Sequence, residues 1–117
     1  GRLEEARRYC RRALEIIERL PSSDPLLCGL TYLMCGKVAQ AEAQRAEGEH
    51  QRSLLEEAIT WFERAKSELS PTQAYTEVTE MYGLWAEVLE KLGRYEEALS
   101  CWKLGYEALS SANGTAL

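Results

Sequence analysis

Apolar residues recur at intervals of three and four along most of the chain. At its start Leu3, Ala6, Cys10, Ala13, Ile17 and Leu20 form one stripe, the period of an amphipathic helix that must be covered by something else. Turn signals interrupt the pattern: L-P-S-S-D-P at residues 20–25, E-G-E-H around Gly48, L-S-P-T at residues 69–72 and L-G at residues 92–93. Five helices follow. Asp24 before Pro25 suits an N-cap followed by proline at the first helical position, and Ser70 before Pro71 predicts the same arrangement again. The tail from Ser110 to Leu117 has small polar residues and no periodicity, and is expected to fray, with residues 112–117 a flexible end.

The segments repeat. G-R-L-E-E-A-R-R-Y-C-R-R-A from Gly1, S-L-L-E-E-A-I-T-W-F-E-R-A from Ser53 and G-R-Y-E-E-A-L-S-C-W-K-L-G from Gly93 share Glu-Glu-Ala, then a bulkier residue four positions on and a small one three further: Ala6, Cys10, Ala13; Ala58, Phe62, Ala65; Ala98, Trp102, Gly105. A small residue lets a neighbouring helix approach, and the larger one fills the space beside it. Upstream of the second and third segments lies another pattern, Tyr32-x2-Cys35-Gly36-x2-Ala39 and Tyr82-x2-Trp85-Ala86-x2-Leu89, which marks the first helix of each pair.

Composition narrows the alternatives. Ala, Glu, Lys, Leu and Arg make up just over half of the 117 residues, while Val and Ile occur three times each, so a β-rich fold is excluded in favour of an all-α one. The net charge of −5 argues against nucleic acid or an anionic membrane as a partner. Four cysteines without a C-x-x-C pair, and no apolar run near twenty residues, point to a reduced, cytoplasmic setting. The absence of an initiator methionine suggests a piece of a longer protein.

The repeat resembles the tetratricopeptide repeat, whose W-x2-L-G-x2-Y…A-x3-F…P pattern is present in degenerate form and most clearly in L-G-R-Y-E-E-A-L. The alanines at 6, 58 and 98 are 52 and 40 residues apart, longer than the family's usual period of about 34, so either longer helices or an enlarged turn at Gly48 is expected. The resemblance implies a right-handed array of antiparallel helix pairs of about five helices: a half repeat over 1–23, a repeat over 24–70 and another over 71–111. Its long, irregular repeats are similar to those that follow helix-turn-helix domains in bacterial regulators, where they bind a peptide or another regulator. The function expected is therefore non-catalytic protein or peptide binding, as the sensory or oligomerisation part of such a regulator. The alternatives are a protein-assembly adaptor without a DNA-binding role and an accessory repeat region of an enzyme. Gly1 falls where the family turns from first to second helix, so the first helix is expected to lack its partner, and its open flank to be exposed or to pair with a second copy as a homodimer.

The family's groove lies on the first helix of each pair. Carried over, it comprises Leu30, Leu33, Lys37, Gln40 and Ala41, with Glu80, Gly83, Glu87, Glu90 and Lys91. The acids there would repel a carboxylate and suit a ligand with basic and apolar groups. Beside that, an acidic solvated face without a ligand is the plain alternative. Arg7, Arg8, Arg11 and Arg12 around Tyr9 form the one basic cluster, read as a solvated helix face with i, i+4 pairs to Glu4 and Glu15 rather than a phosphate track. The Glu4-Glu5, Glu56-Glu57 and Glu96-Glu97 pairs are each expected to open a helix, where negative charge complements the macrodipole. His50 is the sole histidine, placed in a polar turn; no catalytic triad, metal site or cofactor motif is present. Cys10 and Cys35 are read as core packing, and the tryptophans and Tyr32, Tyr82 and Tyr95 as core aromatics.

Overall fold

A computed structural model describes residues 1–20 and 24–113. Its described residues form five helices and no strand: α1 (Arg2–Arg19), α2 (Pro25–Gln44), α3 (Gly48–Leu69), α4 (Tyr75–Lys91) and α5 (Tyr95–Ala112). α2 pairs with α3 and α4 with α5 through the most extensive contacts. α1 lies on α2, α3 touches α4, and α2 reaches α4. Connections of three residues, 45–47 and 92–94, force each pair to run antiparallel. This is the packing of a helical repeat array, each helix covered by its neighbours along the chain.

Local chemistry sets the ends. The Asp24 carboxylate accepts a hydrogen bond from the Leu26 amide at 3.1 Å, with Pro25 following at the first helical position. α4 closes on Gly93, whose φ of +78° lets the Gly93 amide donate to Glu90 O and the Arg94 amide to Leu89 O, satisfying two terminal carbonyls. The Ser70-Pro71 expectation is corrected. Ser70 ends α3 and α4 begins only at Tyr75, because the Thr72 hydroxyl donates to Leu69 O at 2.7 Å and accepts from the Ala74 amide at 3.2 Å, building a turn between the helices. The long second repeat is accommodated by helices of 20 and 22 residues, with a tight turn ahead of Gly48. His50 accordingly sits in the first turn of α3 rather than in a loop. At the far end α5 continues past Ser110 to Ala112, and residues 21–23 and 114–117 lie outside the described residues.

Small residues govern how close the helices come. Phe62 lies against Gly36, where an added Cβ would stand 2.5 Å from its ring, and Leu69 lies likewise against Gly29. Phe62, Leu69, Met81, Val88 and Leu89 are wholly buried in the main core between the two pairs. A smaller cluster of Cys10, Cys35 and Val38 joins α1 to α2.

Candidate functional site

Two strips of side chain remain open on the first helices of the pairs, α2 and α4. Leu26, Leu30 and Lys37 share one face of α2, with Leu27 and Met34 beside them, and all four apolar members are 36–47% exposed. Further along, Lys37 Nζ pairs with Glu80 Oε2 of α4 at 2.8 Å, and Gln40 Nε2 donates to Glu87 Oε2 at 3.5 Å. The Lys37–Glu80 pair is nearly half exposed, so it contributes at most about 1 kcal/mol. Its larger effect is to cancel one charge on an otherwise acidic α4 strip, leaving Glu87 and Glu90 as exposed carboxylates further along α4, on the order of 15 Å or more along the helix axis from Leu30.

Of the groove residues expected from the family pattern, Lys37, Glu80 and Glu87 lie on this surface, Leu30 is exposed on α2 two turns before Lys37, Ala41 is half-buried and Glu90 is exposed. Leu33 does not belong to it. It is 4% exposed and packed in the main core. Gln40 is also buried, presenting only its amide to Glu87. Gly83 faces the other way, into a cleft between α4 and α5 beside Trp102. Lys91 lies at the end of the array, near Gly48 and Arg52 of α3. The expected strip on α2 is rotated towards α4 because α1, α3 and α4 all pack on α2, so its sequence is apolar all round and gives no orientation. Leu27 and Met34, on the open side, escape the family pattern for that reason.

The acidic pairs and the basic cluster are also revised. Glu4-Glu5 and Glu96-Glu97 stand in the first turns of α1 and α5. Glu56 and Glu57 are in mid-helix, because α3 begins at Gly48, and both cross to other elements. Glu56 pairs with Arg94 at 2.6 Å, and Glu57 pairs with Arg7 at 2.6 Å and accepts from Trp61 Nε1 at 3.0 Å. Arg7 also holds Glu42, so it is a half-buried clamp between α1, α2 and α3 and not part of a solvated basic face. Burial alone would push the Glu57 carboxyl up, yet the hydrogen bonds from Arg7 and Trp61 outweigh it and hold the carboxyl below its ordinary value.

Cys10 and Cys35 pack together between α1 and α2. Burial pushes both up, Cys35 to about 12, which leaves neither with thiolate character near neutral pH. Trp61 stacks on Tyr32 at 6.0 Å under the Arg64 guanidinium, and Trp85 stacks on Tyr82 at 6.0 Å. Tyr95 and Trp102 depart from the core expectation, being 69% and 44% exposed.

No family model, no curated protein and no solved structure matches this chain. Its chemistry must therefore be taken from its own side chains. Among the described residues no three His, Cys, Asp or Glu side chains converge into a group able to hold a metal ion, and no helix is long and apolar enough to cross a membrane.

Proposed function

We propose that this chain is a non-catalytic, cytoplasmic protein- or peptide-binding module of tetratricopeptide-like repeats, serving as the sensory or oligomerisation part of a bacterial helix-turn-helix regulator. The observation that carries the binding reading is the surface shared by α2 and α4: exposed Leu26, Leu27, Leu30 and Met34 lead along α2 to the Lys37–Glu80 and Gln40–Glu87 contacts, where Glu87 and Glu90 of α4 are exposed. Solvent-facing leucines grouped at helical spacing are costly to leave in water and mark a contact surface. Rigid helices then offer side chains from two repeats to one extended ligand. Its ligand is a segment with apolar side chains and a basic group, the former on α2 and the latter against α4.

The test is a titration of a fluorescein-labelled amphipathic peptide of leucine and arginine against the full chain, read by anisotropy. Leu30→Ala with Glu87→Lys should weaken binding at least about tenfold, the loss of one apolar contact and one charge contact. Unchanged affinity in that double variant would remove the surface from consideration. The regulator setting rests on repeat length, an argument by analogy, and a helix-turn-helix pattern in the same natural chain is the observation that would support it.

A further inference from the structure

The repeat register exposes a second surface. The shift that carries Ala58 onto Ala98 also carries Leu55, Ile59, Phe62 and Leu69 of α3 onto Tyr95, Leu99, Trp102 and Leu109 of α5. On α3 the four are 0–8% exposed, and on α5 they are 44–69% exposed. The cause is that α4 lies over α3, whereas α5 touches no described helix but α4. Tyr106, between Trp102 and Leu109, is 71% exposed and completes a stripe spaced four, three, four and three, the spacing of a seam that receives another helix. Beside the stripe Gly83 and Gly105 leave a cleft of about 280 Å³ between α4 and α5, wide enough to take a side chain of that helix.

The charges on this face select its occupant. α5 carries Glu96, Glu97 and Glu107 against Lys103. Glu56, the register equivalent of Glu96, pairs with Arg94, the residue just before α5, and no described residue does the same for Glu96. A cation-flanked apolar helix is thus the complement, and the chain presents one at its other end. α1 has six arginines against four glutamates, and its outer face holds Tyr9 and Ile16 at 66% and 58% exposure, flanked by Arg8, Arg12 and Arg19 against the single acid Glu5. We infer that α5 of one copy receives α1 of a second copy, head to tail, through these two faces. The contact is heterologous, so each copy keeps one open end and further copies can add. It is independent of the α2–α4 surface, which points elsewhere on the array.

The arrangement is tested with the full chain by sedimentation velocity over a range of concentration, using Ile16→Glu and Leu99→Lys. Both positions are more than half exposed and both new charges have opposite partners one helical turn away, Arg12 and Glu96, so helicity by circular dichroism should be unchanged. Wild type should associate at concentrations of the order of 100 µM, a weak contact of one helix with another. Each variant alone should stay monomeric, and an equal mixture should form a one-to-one dimer, because the intact α1 of Leu99→Lys fits the intact α5 of Ile16→Glu. A wild-type monomer throughout, a single variant that still dimerises by itself, or a mixture that stays monomeric would each overturn the proposal.

Discussion

Replacing Gly36 by alanine should destabilise the chain, and the same replacement at Gly83 should stabilise it. Both glycines are interior to helices, where alanine is favoured by about 1 kcal/mol. Their surroundings differ. At Gly36 the new Cβ would lie 2.5 Å from Phe62 Cε1 and 2.8 Å from Cδ1. To restore ordinary carbon contact the ring must retreat by about 1 Å, and it has nowhere to go: Phe62 is wholly buried, with the Trp85 ring 6.4 Å away on the α4 side. Overpacking of this kind costs about 1–3 kcal/mol. After the helix term is subtracted, the net loss is about 1 kcal/mol. At Gly83 the nearest atom to the new Cβ is Trp102 Cζ3 at 3.6 Å, an ordinary contact, so up to about 1 kcal/mol of helix preference should be gained. Urea unfolding followed by far-UV circular dichroism reads the difference, with the two midpoints moving in opposite directions at unchanged slope. Phe62→Leu should relieve part of the Gly36→Ala penalty in a double-mutant cycle, since the clash is with the ring. A Gly36→Ala chain as stable as Gly83→Ala would refute the close approach of α2 and α3 on which the core description rests.

Three further outcomes follow from the same geometry. Because the Glu57 carboxyl is held below its ordinary value when folded, its contribution is complete near neutral pH and is lost as pH falls below about 4.5 and through the folded value; in Glu57→Gln this part of the acid destabilisation should vanish, with a loss of about 1 kcal/mol at pH 7. Asp24→Ala removes the cap of α2 and should cost about 1 kcal/mol in the same urea assay, whereas Asp24→Asn should cost less. All four thiols are buried, so a thiol-specific chromogenic reagent should react with fewer than one per chain in native buffer and with four in denaturant; prompt native reaction at Cys10 or Cys35 would contradict the packing of α1 on α2.

Most of the fold is legible in the sequence, because helix existence depends on local spacing and local end chemistry. The three-and-four stripes, the Asp24-Pro25 start and the Gly93 stop are each written in adjacent residues, and each is present. What sequence spacing does not carry is which face of a helix meets which neighbour. On α1 one side is apolar and the stripe through Cys10 and Ile17 is indeed the covered one. On α2 three other helices compete for the surface, so apolar residues ring it, and Leu33 in the core is indistinguishable by type from Leu30 in the open. Arg7 shows the same limit for charge. Among four arginines in six positions nothing local distinguishes the one that reaches Glu42 and Glu57, which lie 35 and 50 residues away in sequence.

The α5 surface is hidden within the repeat register for a physical reason. Trp102 and Tyr95 occupy the positions that Phe62 and Leu55 hold in the preceding pair, so residue type predicts burial for all four. Burial, however, belongs to the helix that lies on top, and that helix is a property of the next pair in the array. The same face is therefore core in α3 and surface in α5. The uncovered stripe of α5 keeps the means of extending the array, since the free-energy gain from covering it is realised only when another helix arrives. The opposite charges of α1 and α5 then limit which helix that is, because a second α5 would bring Glu96, Glu97 and Glu107 against their own kind while α1 brings arginine.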